Sequence, residues 1–126
     1  MRDLVKSSKK YLKNLKSKNV LDIGCNDGTL LSLFKKEGCN TFGVEPTRAA
    51  IEAKKKGHVI FKDYFDKTSS KNIRKIIGNI DIITFTNVFA HIEDLEDLLF
   101  SLKNISNKNT LIICLLYTSP SPRDRG

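Results

Sequence analysis

The sequence has no apolar run approaching the roughly 20 residues of a membrane-spanning helix, which sets a helical membrane protein aside. Its N-terminal stretch, MRDLVKSSKKYLKNLKSKN, is basic but lacks the continuous apolar core of a secretory signal, so the cytoplasm is the default compartment and no membrane partner is expected. Cysteine is scarce: Cys25, Cys39 and Cys114 are scattered, odd in number and form no CxxC pair. That spacing points to neither a disulfide framework nor a metal site. No internal repeat is visible. With 126 residues the chain is one small domain or a piece of one.

What is present is an ordinary soluble composition, 40% hydrophobic and 29% charged, with a formal net charge of +8. An excess of this size raises nucleic acid as a partner. The cations are mostly Lys, however, and spread along the chain. The densest group, Lys6, Lys9, Lys10, Lys13 and Lys16, has the spacing of one helix face, opposite Leu4, Tyr11, Leu12 and Leu15. A solvated helix over residues 1–18 accounts for it, and no nucleic-acid partner is expected.

From residue 19 onward, short β-rich runs alternate with helical patterns, the signature of βαβ units and a parallel sheet. Strands are expected over 19–23, 41–44, 58–61 and 80–85, with a fifth beginning near Asn109. The helices between them run from Thr29 to Gly38, from Pro46 to Gly57, over 70–77 and over 93–104. The last should bury Leu95, Leu98, Leu99, Leu102 and Ile105. Its opening acids Glu93, Asp94, Glu96 and Asp97 suit the positive end of a helix better than a metal. The fold class is α/β, a Rossmann-like doubly wound parallel sheet stopping after about five strands.

In such sheets ligands bind at the carboxyl ends of strands where the strand order reverses, here between the first and fourth strands. The loops 24–28 and 86–91 should therefore share one crevice. In the first, Gly24 and Gly28 permit a tight turn into a helix N-terminus. Asn26 stands where a dinucleotide enzyme would have its middle glycine. VLDIGCNDG instead resembles the DxGxxxG loop of class I S-adenosylmethionine-dependent methyltransferases. Asp22 offers an anion to an ammonium group, and Glu45 can accept both hydroxyls of a ribose. Asp63 and Tyr64 follow the third strand, where an acid could meet an adenine amino group and a ring could stack. Asn87 follows the apolar fourth strand, and His91 is the candidate for proton transfer, its ordinary pKa being near neutrality. Cys25 precedes a helix N-terminus, a place that can lower a thiol pKa; the plainer reading is a small residue in a tight turn. His58 has no partner suggested by the sequence and reads as structural.

The set VLDIGCNDGTLL, FGVEPTRAAIEAKKKGH, FKDYFD and DIITFTNVFAHIEDLEDLL resembles the sugar C-methyltransferase family, which acts on nucleotide-linked keto-deoxysugars. The matching blocks run over about 19–113, with Cys25 where that family usually has Ser. The resemblance implies S-adenosyl-L-methionine as cofactor, a nucleotide sugar as small-molecule substrate, and cofactor-site or neighbouring positions at Asp22, Gly24, Asn26, Asp27, Gly28, Glu45, Asn87 and His91. The family's zinc module and its proposed base lie outside these blocks, so the chain is expected to hold the methyl donor weakly without turning over an acceptor. Residues 114–126, CLLYTSPSPRDRG, break the pattern and resemble a translated sequencing adapter, placing the end of the natural chain near Ile113. A fifth strand left unpaired would invite self-association. Two other functions stay open: an NAD-dependent oxidoreductase domain, favoured by Glu45 and disfavoured by Asn26, and a non-catalytic binding module using its basic surface.

Overall fold

The computed structural model describes residues 2–85 and 95–114. Five strands, β1 (Asn19–Ile23), β2 (Asn40–Val44), β3 (Val59–Phe61), β4 (Ile82–Phe85) and β5 (Leu111–Cys114), form one sheet in the order β3-β2-β1-β4-β5. Every neighbouring pair is parallel. The helices are α1 (Arg2–Leu12), α2 (Thr29–Lys36), α3 (Ala49–Lys55), α4 (Lys67–Ile77) and α5 (Leu95–Ile105). This is the expected doubly wound architecture, and it puts the reversal of strand order between β1 and β4.

Alternate strand residues point to opposite faces, and each face has its own core. Val20 and Ile82 join Leu30, Leu31, Phe34, Ala50 and Ala53 beneath α2 and α3, with Leu4 and Val5 of α1 against them. Leu21, Ile23, Ile83 and Phe85 face the other way, onto Ile73 of α4 and Ile105 of α5. The all-buried strand β4 is the central-strand pattern its apolar run predicts.

Several boundaries differ from expectation for local reasons. Helix α1 stops at Leu12 because Lys13 turns to φ 63°, so Lys13 and Lys16 leave the predicted basic helix face. Leu15 is buried from the turn that follows, whereas Tyr11 is 75% exposed. Helix α4 starts at Lys67, earlier than expected, because Asp66 and Ser69 form a capping box: the Asp66 carboxylate accepts from Ser69 N at 2.8 Å while Ser69 Oγ accepts from Asp66 N at 2.9 Å. Pro46 sits ahead of α3, and not in its first turn. Strand β3 leaves out His58, and β4 leaves out Ile80 and Asp81; the Asp81 carboxylate accepts the backbone N–H of Asn19 at 2.8 Å.

The α5 face is only half-covered: Leu98 and Leu102 pack inward, while Leu95, Leu99 and Phe100 are exposed. Among the described residues, strand β5 pairs with β4 alone, and Ile112 is exposed there. It includes Cys114, where the sequence reading begins the tail. Residues 115–126 lie outside the described residues, as do Glu93 and Asp94. Among the described residues no helix is long and apolar enough to cross a membrane.

Candidate cofactor site

The site is built on the loop that leaves β1. After Ile23, the N–H groups of Gly24 and Cys25 both donate to the Val44 carbonyl, at 2.8 and 3.1 Å, and tie the loop to the end of β2. Gly24, Asn26 and Gly28 then take positive φ values of 76°, 55° and 84°. Glycine adopts that region without strain, and asparagine is among the few other residues that do so readily. A Cβ on Gly28 would lie 2.8 Å from His58 Cδ2 and 3.2 Å from Ala53 Cβ, so this position excludes a side chain on two grounds.

A carboxylate stands in or just beyond the C-terminal end of each of β1, β2 and β3. Asp22 is 1% exposed and accepts from Thr84 Oγ1 at 2.8 Å, across the β1–β4 pairing that sets the two residues side by side. Glu45 is 7% exposed. Its Oε1 accepts from Asn26 N at 2.8 Å, and its Oε2 accepts from Thr47 N and Thr47 Oγ1 at 3.1 and 2.8 Å. Glu45 thus braces the glycine loop as well as closing β2. Asp63 lies beyond β3, exposed, with Oδ1 accepting its neighbour Tyr64 N at 2.7 Å.

Asp27 starts helix α2. Its Oδ1 accepts from Thr29 Oγ1 at 2.6 Å and Thr29 N at 3.1 Å, and Lys56 Nζ lies 3.6 Å from Oδ2. The Thr29 hydroxyl, with further help from the Thr29 N–H and Lys56, holds its carboxyl below the usual aspartate value. Tyr64 is 72% exposed, whereas Phe65 packs edge-on against Phe85 with ring centroids 6.3 Å apart. The third-strand loop therefore divides its aromatics, one to solvent and one to the core. Asn87 and His91 lie outside the described residues.

Cys25 follows the plainer of its two readings, a small residue in a tight turn. Its thiol is buried, and burial, reinforced by the nearby Asp22 and Glu45 charges, pushes its pKa up to about 12. The same two carboxylates that oppose a thiolate would welcome a cation. The side chain lies over Gly43 of β2, where a Cβ would come within 2.6 Å of Cys25 Sγ.

Gly43, Thr47, Thr84 and His58 support the site, and sequence reasoning gave none of the first three a role. Thr84 had a signal: a lone hydroxyl inside an otherwise apolar buried strand needs a partner. His58, read as having none, has two, Thr41 and Ser32.

The family model of methyltransferase domains matches residues 1–126. The chain belongs to this family. Among relatives, this methyltransferase domain is 30% identical over 89 residues to the ubiquinone biosynthesis O-methyltransferase of Erwinia tasmaniensis, covering 67% of this chain and 36% of that one. It is 28% identical over 111 residues to the protein of the same name from Pelagibacter ubique, covering 86% and 44%. The domain thus spans well under half the length of these relatives.

Among solved structures, a SAM dependent methyltransferase from Archaeoglobus fulgidus superposes with a TM-score of 0.59 at 23% identity, covering 89% of this chain and 51% of that one. The plantazolicin methyltransferase BpumL, solved with a triazolic desmethylPZN analog and SAH, gives a TM-score of 0.63 at 23% identity, covering 87% and 43%. These likenesses establish the Rossmann-like methyltransferase fold. The expectation of S-adenosyl-L-methionine as cofactor agrees with the family and with both neighbours, one named for that cofactor and one solved with its demethylated product. The relatives carry the names of O-methyltransferases, and so do not single out the sugar C-methyltransferases that the motifs resemble.

Proposed function

We propose that the domain binds S-adenosyl-L-methionine in the crevice above β1 and β2 and serves methyl transfer to a small-molecule acceptor. One observation carries the reading: two buried carboxylates, Asp22 and Glu45, end adjacent strands and flank a loop whose backbone needs positive φ at three positions. Those residues fit the group. Glu45 retains acceptor capacity for a ribose hydroxyl beside the N–H groups it already holds, and Asp22 supplies negative charge for the cofactor's ammonium end. Asp63 and Tyr64, just beyond β3, would serve the adenine of the cofactor, and Asn87, which lies outside the described residues, would meet cofactor or substrate. The cofactor supplies an electrophilic methyl group on a sulfonium sulfur; the chain's part is to bind, orient and charge-match it.

For the acceptor, the relatives' names support a hydroxyl oxygen. A second acceptor, the carbon of a nucleotide-linked keto-deoxysugar, is supported by the TNVFAHI motif and its acidic-leucine continuation. The scattered cysteines support a reducing, cytoplasmic setting. The exposed apolar residues of α5 and β5 support self-association through that edge.

Calorimetric titration with S-adenosylhomocysteine and with NAD tests the reading. Saturable binding of the first, lost on Glu45→Ala, is the expected result. Saturable NAD binding with no response to S-adenosylhomocysteine would replace it with the oxidoreductase alternative, and salt-sensitive binding to a random oligonucleotide alone would favour a basic binding module.

A further inference from the structure

A ribose at Glu45 meets a carboxylate that the chain itself already occupies. Oε1 accepts from the Asn26 N–H at 2.8 Å. Oε2 accepts twice, from the Thr47 N–H at 3.1 Å and from the Thr47 hydroxyl at 2.8 Å. An ionised carboxylate offers about four lone-pair positions, two on each oxygen. Among the described residues three are taken, so Oε1 keeps one open position and Oε2 has none.

A ribose presents two adjacent hydroxyls, and a diol set astride a carboxylate gives one to each oxygen. The first hydroxyl takes the open position on Oε1. The second needs Oε2, where one of the two Thr47 donors has to yield. The N–H is fixed by the backbone on its way into α3. The hydroxyl is not: Thr47 is exposed, its side chain turns about a single bond, and a displaced hydroxyl finds water. Its other contact, from the Ala49 N–H at 3.3 Å, is long and exposed, and water replaces it.

We propose that Thr47 is a positioning residue that competes with the cofactor: its hydroxyl holds Glu45 in the free protein and gives up Oε2 to the second ribose hydroxyl on binding. The inference rests on the cofactor reading above and adds a sign to it. In the wild type, binding breaks one hydrogen bond to Oε2 and makes another, so the second ribose hydroxyl adds little net affinity. With the Thr47 hydroxyl removed, nothing is given up in exchange, and the same ribose contact counts in full. The Ala49 contact acts in the same direction, being lost on binding in the wild type and missing throughout in an alanine variant.

The test is calorimetric titration of the full chain with S-adenosylhomocysteine and with its 2′-deoxy and 3′-deoxy counterparts. In the wild type the two deletions should be unequal. The hydroxyl that merely exchanges with Thr47 is lost at a cost of about twofold or less, and the one on the open Oε1 position at a larger cost. Thr47→Ala, at an exposed position, should bind S-adenosylhomocysteine about threefold tighter or more, and this gain should vanish with the deoxy ligand that lacks the exchanging hydroxyl. Thr47→Ser returns the hydroxyl and should return the affinity to the wild-type value. A general loosening of the site would weaken all three ligands together. Equal losses for the two deoxy ligands in the wild type overturn the proposal, and so does a Thr47→Ala chain that binds S-adenosylhomocysteine no tighter than wild type, or one that gains equally with every ligand. If neither wild type nor Thr47→Ala binds S-adenosylhomocysteine, the cofactor reading itself is rejected, and this proposal with it.

Discussion

Replacing Gly43 with alanine tests whether the glycine loop is held up from the neighbouring strand. Glycine to alanine within a strand ordinarily stabilises, by about 0.4–1 kcal/mol, through the entropy of the unfolded chain. At Gly43 the added Cβ would lie 2.6 Å from Cys25 Sγ, 2.9 Å from Ile60 Cδ1 and 3.0 Å from Cys25 Cβ, well inside the ordinary carbon contact of about 3.5–4.0 Å. Ile60 Cδ1 is the free end of a flexible side chain and can swing away. The Cys25 Cβ, 3.0 Å away, is less free, because the Cys25 backbone N–H is tied to the Val44 carbonyl at 3.1 Å.

Overpacking of this kind costs about 1–3 kcal/mol, so the net effect is a loss of about 1–2 kcal/mol, with the unfolding midpoint lowered by about 4 °C or more. Urea and thermal unfolding measure it. Cys25→Gly in the Gly43→Ala background removes both cysteine contacts, and a double-mutant cycle should return a favourable coupling of about 1 kcal/mol or more. A Gly43→Ala chain as stable as wild type, or more so, would refute the claim that Cys25 rests on this glycine.

The remaining predictions concern other parts of the molecule. Asp66→Ala removes the capping box of α4 and should cost about 1 kcal/mol in urea unfolding, while a loss below about 0.3 kcal/mol would show that the cap is not needed. Alkylation of the folded chain at about pH 8, read by mass spectrometry, should label the exposed Cys114 and spare Cys25 and Cys39. Their pKa values are pushed up to about 12 and about 11, chiefly by burial, so the reactive thiolate is scarce at that pH; labelling of Cys25 ahead of Cys114 would contradict this.

The fold was largely legible in the sequence because each element carried its own period. The apolar run of β4 and the apolar residues at helical spacing in α2 name their elements without tertiary help. Where local hydrogen bonding decided a boundary, periodicity was blind to it. The α4 start depended on a side chain of Asp66 reaching Ser69, and the α1 end on a left-handed turn at Lys13. The apolar spacing of α5 also overstated its burial, since spacing fixes a common face but not what covers it.

For the site, the sequence by itself determined the types of group available: a loop of two glycines and an asparagine, an acid at the end of each of two strands, and the length of helix to follow. These are properties of short segments, set by backbone freedom and side-chain chemistry. Only the tertiary structure decided what those groups hold. Parallel pairing placed Thr84 beside Asp22 across 62 residues of chain, and the fold of the loop over β2 put Asn26 on Glu45, Cys25 on Gly43 and Gly28 on His58. Such contacts depend on strand register and on close approach between segments distant in sequence, and no local pattern encodes either.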